Sequence, residues 1–300
     1  MVDRPLLERY PALAARFMPL LKLPTPVVRV GDVWVKHDGL MGAPIGGSKA
    51  RTMEFCLRDF IECRRTVVAF GPFGSNWLTN LAWASRTYGF PVAIWTFPQD
   101  LNDHASRNRE LLRPVARHTA DLLDLFARGV VRGGRFFSPR TRISPMAGSA
   151  PRSIMGHVNA MMELKRQINA GELPMPVRIV VALGSGGTSA GLLAGSALLG
   201  LDIEIVSVRV TSHFLANRWR VVSMARKALN LLGSDAPLGR LSIIHKFAGT
   251  YGRPMPEATR ARARFAEAGV ELDDSYTAKA ALALSGRGPT LFWNTFAPRS

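Results

Sequence analysis

Three hundred residues, 47% of them hydrophobic, are enough to bury a sizeable core in one large α/β unit or two domains, which excludes a disordered chain. The 39 basic and 22 acidic residues leave a formal charge of +17, which would admit nucleic acid or an acidic membrane as a partner. Arginines are scattered from Arg4 to Arg299 without an aromatic-rich recognition motif, zinc spacing or basic tail. The charge therefore reads as a generally basic surface that draws in anionic substrates, and nucleic acid is not the expected partner.

The first residues, Met1-Val2-Asp3-Arg4-Pro5, lack the basic and apolar regions of a signal peptide, so a cytoplasmic protein is expected. A short helix is predicted over 6–17, followed by a proline-bounded turn at Leu23-Pro24-Thr25-Pro26. Residues 33–38 alternate like a strand, and helix-spaced apolar residues run over 50–60. Between them, Pro44-Ile45-Gly46-Gly47-Ser48-Lys49 is a glycine-softened loop that delivers one lysine to a helix start. No side chain at Gly46 or Gly47 would keep a planar ligand from the amine. A desolvated amine there can have its pKa lowered enough to act as a nucleophile, which makes Lys49 the candidate reactive residue. Cys56 and Cys63 lie seven apart, on one face of a helix. They are too far apart for an ordinary disulfide and too few for zinc, so buried free thiols and no metal site are expected.

Residues 66–70 form a compact apolar run that reads as a buried strand emptying into Gly71-Pro72-Phe73-Gly74-Ser75-Asn76. A helix over 77–88 and a strand over 92–96 complete a βαβ unit. Ligands bind where loops leave the carboxyl ends of such strands, which places Ser75 and Asn76 at a site, although Ser75 also suits a helix N-cap. Residues 98–134 read as helical and polar, and 144–153 as a small-residue loop. A helix over 154–170 is ended by Gly171.

The second constellation is a buried strand over 178–183 that runs through Gly184, Ser185, Gly186, Gly187 and Thr188 into a helix over 189–199. Backbone N–H groups and the helix dipole converge there on an anion. No lysine follows the glycines as in a Walker loop, and Ser189 stands where the dinucleotide fingerprint needs its third glycine. A monophosphate held without metal fits this cup. The apolar stretch 177–208 is interrupted by the glycines, Asp202 and Glu204, which argues against a membrane span. Further predicted elements are a strand over 203–210, helices over 214–232 and 256–268, loops over 249–254 and 272–279, and a strand over 290–293 entering Asn294-Thr295. The alternation implies a doubly wound, mostly parallel α/β protein.

An amine, a monophosphate cup, an amide at Asn76 and late tyrosines and threonines together suit pyridoxal 5′-phosphate. The chain resembles the fold-type II pyridoxal-phosphate enzymes, specifically the D-cysteine desulfhydrase and 1-aminocyclopropane-1-carboxylate deaminase family. The ordered motifs that carry the likeness are Leu23-Pro24-Thr25-Pro26, Gly46-Gly47-Ser48-Lys49, Gly74-Ser75-Asn76, the loop 184–188, Tyr251-Gly252-Arg253-Pro254, Tyr276-Thr277-Ala278-Lys279 and Asn294-Thr295. The resemblance implies a tryptophan-synthase-β-like two-domain fold, with 1–50 and 151–300 forming the large cofactor-binding domain and 51–150 the smaller one, in a homodimer. It implies that Lys49 binds the cofactor covalently and moves the substrate α-proton. Asn76 would bond the ring oxygen, Ser75 would contact the substrate carboxylate or take part in proton transfer, and Gly184, Ser185, Gly186, Gly187 and Thr188 would hold the phosphate. Tyr251 and Tyr276 would be the active-site tyrosines, with Thr277 and Thr295 beside the pyridine nitrogen.

Ser48 and Gly74 replace the family's usual asparagine and glutamine. Phe296-Ala297 stand where two glycines are usual, shortly before the last residue Ser300, implying altered substrate access or activity. Hydroxyls rather than a carboxylate beside the pyridine nitrogen resemble the desulfhydrase. The expected reaction is α,β-elimination on a small β-substituted amino acid such as D-cysteine, giving a 2-oxoacid and ammonia. The alternatives are a β-replacement enzyme and a non-catalytic ligand- or nucleic-acid-binding protein on the same scaffold.

Overall fold

The computed structural model describes residues 4–41, 47–100, 102–121, 124, 138–247, 255–284, 286 and 288–297. Helix α1 (Pro5–Arg9) is followed by a 3-10 turn, Pro11–Arg16, in place of the continuous helix predicted over 6–17. Pro11 supplies no N–H to carry an α-helix through that point. The Leu23-Pro24 peptide is cis. Hairpin strands β1 (Val27–Val30) and β2 (Val33–His37) pair antiparallel.

The helix predicted over 50–60 is two: α2 (Ser48–Glu54) and α3 (Leu57–Glu62). The chain turns at Phe55, whose N–H reaches back three residues to Thr52. The break sends Phe55 into one hydrophobic cluster and leaves Met53, Leu57 and Phe60 in another. Cys56 and Cys63 consequently bracket α3 instead of sharing a helix face; both are free, and only partly buried.

Strand β3 (Thr66–Pro72), α4 (Asn76–Tyr88) and β4 (Val92–Phe97) form the expected βαβ unit, with β3 and β4 parallel. Helix α5 (Asp103–Leu112) follows, and then β5 (Ala116–His118), a short strand inside the segment read as helical. The polar edge sequence Ala-Arg-His carries no apolar alternation to betray it. Strand β6 (Thr141–Ile143) completes a four-stranded parallel sheet in the order β5-β4-β3-β6.

Helix α6 (Met155–Asn169), β7 (Arg178–Leu183), α7 (Gly187–Leu198), β8 (Glu204–Arg209) and α8 (Arg218–Leu231) follow in βα alternation. The last begins four residues later than predicted because the Asn217 side chain caps it by accepting from Arg220 N. Strand β9 (Leu241–Ile244), α9 (Pro256–Glu267), α10 (Thr277–Ala281) and β10 (Thr290–Asn294) close the chain. Helix α10 occupies part of the segment read as the loop 272–279. The six-stranded sheet has the order β1-β2-β10-β7-β8-β9 and is parallel except for the β1-β2 hairpin.

Alternate residues of the six-stranded sheet face different cores. Ile179, Val181, Leu183, Ile205, Leu291 and Trp293 pack against the α6-α7-α8 side, and Val180, Ala182, Val206, Val208 and Phe292 pack with Phe265, Ala278 and Ala281 of α9 and α10. Val67, Ala69 and Ile94 of the smaller sheet pack under Met53, Trp77, Leu78 and Leu81. The parallel strands thus end in loops that meet one another, which is where a ligand site forms in such sheets.

Candidate active site

One cavity is lined by Lys49, Ser75, Asn76, Gly184, Ser185, Gly186, Gly187, Thr188, Tyr276 and Thr295, residues from five separate stretches of chain. Lys49 is the second residue of α2, whose N-cap is Gly47. Gly47 has φ +73°, and a Cβ there would lie 2.6 Å from the Thr295 carbonyl, which accepts the Ser48 N–H at 3.2 Å. A glycine is therefore required for the lysine helix to start beneath the 294–297 segment. Pro44, Ile45 and Gly46 lie outside the described residues.

Beyond β7, Gly186 caps α7 in a left-handed conformation, φ +88°. The first helical N–H groups, at Gly187, Thr188 and Ser189, precede the first intrahelical donor, Ala190 N, which bonds the Gly186 carbonyl, and they point out of the helix end. The cup is tightly drawn: a Cβ on Gly187 would meet Ser149 Oγ at 2.4 Å, and one on Gly184 would approach the Tyr276 ring at 3.2 Å. Ser149 Oγ shares a 2.7 Å hydrogen bond with Ser185 Oγ, and Lys49 Nζ donates to Ser185 Oγ at 3.2 Å. Burial, reinforced by the Arg220 guanidinium, lowers the Lys49 pKa to about 8. Arg220 Nε donates to the Ser185 carbonyl at 2.9 Å, adding a cation behind the cup.

On the opposite wall Ser75 both caps α4, accepting from Leu78 N at 3.4 Å, and lines the cavity. Tyr276 is presented by the turn into α10. That turn is built on Asp273, whose carboxylate accepts from the N–H groups of Ser275, Tyr276 and Thr277 and from Thr277 Oγ1. Thr277 is consequently set apart from the other candidates: it is fully buried, its hydroxyl is bonded to Asp273 at 2.7 Å, and it does not line the cavity. Tyr251 lies outside the described residues.

Asp273, Ser149, Trp77 and Phe296 complete or support the wall, and none was a site candidate from sequence. Asp273 had a signal, an acidic residue just ahead of a threonine-started helix. Ser149, in a loop of small residues, had none.

The arrangement fits pyridoxal 5′-phosphate by its own geometry. An amine of lowered pKa faces a glycine cup that added side chains would fill, and an arginine and a helix N-terminus supply positive potential for a dianionic phosphate. A mostly parallel two-sheet α/β fold with such a lysine and cup defines the fold-type II class of pyridoxal-phosphate enzymes. The family model "Pyridoxal-phosphate dependent enzyme" matches residues 12–290, and the chain belongs to that family. It is 31% identical to nocardicin C-9′ epimerase of Nocardia uniformis subsp. tsuyamanensis, over 94% of this chain and 93% of the relative. It is 28% identical to a D-cysteine desulfhydrase of Yersinia pestis, over 88% and 86%. A crystal structure of an ACC deaminase homologue superposes with a TM-score of 0.75 at 26% identity, covering 95% of this chain and 93% of the other. The protein is a pyridoxal-phosphate-dependent enzyme of the ACC deaminase and D-cysteine desulfhydrase group. No helix among the described residues is long and apolar enough to cross a membrane.

Proposed function

We propose that this enzyme is a lyase that catalyses α,β-elimination on a small β-substituted amino acid of the D-cysteine type. The net reaction takes up water, breaks the Cα–H, Cβ–substituent and Cα–N bonds, and releases a 2-oxoacid, ammonia and the protonated substituent. The bound cofactor supplies an electron sink for the pair left at Cα. Lys49 holds it and exchanges the Cα proton, Ser75 orients the substrate carboxylate, and Tyr276 serves the substrate side. The cup from Gly184 to Thr188 takes the phosphate, and Asn76 the ring oxygen.

The observation that carries this reading is Lys49: its amine has a pKa of about 8 and hydrogen-bonds a hydroxyl in the cavity wall, a state from which it can both bind and shuttle a proton. The preference for elimination rests on a hydroxyl beside the pyridine nitrogen: Thr277 does not line the cavity, but Thr295 does, and the four acceptor positions of Asp273 are filled by its own turn. Asp273, the carboxylate in the cavity lining, is thus committed to shaping the backbone.

Side-by-side release of 2-oxoacid from D-cysteine, L-cysteine, β-chloro-D-alanine and 1-aminocyclopropane-1-carboxylate tests the reading. Turnover of the β-substituted D-amino acids is expected, and preferential turnover of the cyclopropane substrate would defeat it. A second reading, epimerisation at Cα, is favoured by the 31% identity to an epimerase. Exchange of the α-proton with deuterated solvent, without 2-oxoacid release, would select it.

A further inference from the structure

Asn76 is the residue read as donating to the cofactor's ring oxygen, and a side-chain amide can do so only if its NH2 end faces the cavity. The surrounding hydrogen bonds decide which end that is. Asn108 Nδ2 donates to the Gly74 backbone carbonyl at 2.9 Å, an atom that can only accept. Asn108 is thereby oriented, and the second hydrogen of the same Nδ2 goes to Asn76 at 3.0 Å, so the Asn76 atom it meets is Oδ1. Asn108 Nδ2 also lies 3.2 Å from His104 Nε2, but its two hydrogens go to the two shorter contacts, so His104 Nε2, 2.8 Å from the same oxygen, is itself a donor and carries the hydrogen. Asn76 Oδ1 accepts twice on the α5 side, and its NH2 is the branch left for the cavity that Asn76 lines.

Helix α5 is held against the site from two sides, by Gly74 and by Phe296. A Cβ on Gly74 would lie 2.7 Å from Ala105 Cβ, so glycine lets α5 approach close enough for Asn108 to reach the Gly74 carbonyl. The Phe296 ring meets the His104 imidazole edge-on, with centroids 5.3 Å apart at 77°. Asn102, the α5 N-cap, donates across to Ser275 Oγ at 2.7 Å, next to Tyr276.

We propose that His104, braced by Phe296, and Asn108 are positioning residues that fix the polarity of the Asn76 amide, so that it presents an N–H to the cofactor's ring oxygen. This rests on the reading of Asn76 given above. An N–H donated there stabilises the anionic ring oxygen and lowers the proton affinity of the bound chromophore.

The test uses the cofactor-loaded enzyme and two readouts, the pH midpoint of its visible absorbance transition and the dissociation constant for pyridoxal phosphate. His104→Phe keeps an aromatic ring against Phe296 and removes the donor. Asn108→Asp replaces the donor with an acceptor and favours a flipped Asn76. Each is expected to raise the midpoint by about one pH unit and to weaken cofactor binding about tenfold, the scale of one lost hydrogen bond to a charged group. His104→Gln, which retains an N–H, should restore both. A fall in thermal midpoint with the absorbance transition unmoved in both variants would mean a purely structural role and overturn the proposal. Asn76→Ala separates the two layers. If it shifts the transition while the His104 and Asn108 variants do not, only the positioning fails. If it leaves the transition unmoved, the reading of Asn76 fails with it.

Discussion

Arg51 Nη1 lies 3.0 Å from Glu163 Oε2 with neither side chain exposed, tying the helix that presents Lys49 to the long helix α6. The pair belongs to a buried cluster. Arg51 Nη2 also donates to Asp38 Oδ1 at 2.8 Å, Lys36 Nζ donates to Glu163 and Gln167, and Trp293 Nε1 donates to Asp38 Oδ2 at 2.8 Å. Two cations thus face two carboxylates. Burial alone would raise the Glu163 pKa, but Arg51 and Lys36 hold it at about 2.

Glu163→Ala should therefore be strongly destabilising. It strands two buried cations on one remaining carboxylate, and breaking a buried ion pair in this way costs about 3–5 kcal/mol. The urea unfolding midpoint measures it, and a midpoint near wild type would show that the cluster relaxes without Glu163.

Lys49 should be the site of covalent attachment. Borohydride reduction of the cofactor-loaded protein is expected to leave a pyridoxyl label on the peptide containing Lys49, and none in Lys49→Ala. With the amine pKa at about 8, the initial rate of cofactor capture should climb as pH rises through that value and the neutral amine accumulates. A label on another lysine would relocate the chemistry.

The site was legible in sequence where its signal is local. Lys49 after Gly47, the 184–188 cup and Ser75-Asn76 after β3 each place chemistry at the end of a predicted element, and all line the cavity. Thr277 lies outside the cavity lining because Asp273 draws its hydroxyl into the turn before α10, a competition among nearby polar groups that residue type does not decide. The Lys36-Glu163 contact spans 127 positions, and His104 meets Asn76 across 28, so neither leaves a periodicity to read. The fold followed the same rule. Apolar strands such as Arg178–Leu183 are plain in sequence, and the polar edge strand Ala116–His118 is not.

Stability should fall as pH drops below about 6.5, with His157 responsible for the first part. Burial, then Arg51 and Lys49, hold its folded pKa well below the ordinary imidazole value of 6.5, so the folded state keeps it neutral. Below 6.5 the unfolded chain takes up a proton that the folded chain refuses, and folding loses ground. Above 6.5 the His157 contribution is fully present. Glu163 adds a second loss as pH falls from the ordinary carboxylate value of 4.5 towards about 2. Urea midpoints collected across this range should show a shallower decline just below pH 6.5 for His157→Gln than for wild type. Parallel profiles would assign the acid sensitivity to other groups.

Phe296 should set how large a substrate the site accepts. It lines the cavity, is only 7% exposed, and holds the His104 ring. Phe296→Gly removes a buried aromatic side chain, at a cost of about 3–5 kcal/mol if the gap does not close. In exchange it opens that wall. The expected outcome is a lower thermal midpoint together with a rise in kcat/KM for a bulky β-substituted amino acid relative to a small one. The cofactor's pH transition should also shift towards that of His104→Phe, since the brace on the imidazole is gone. A variant that loses stability but keeps the wild-type ratio of kcat/KM values would show that Phe296 packs the 294–297 segment and does not gate the substrate.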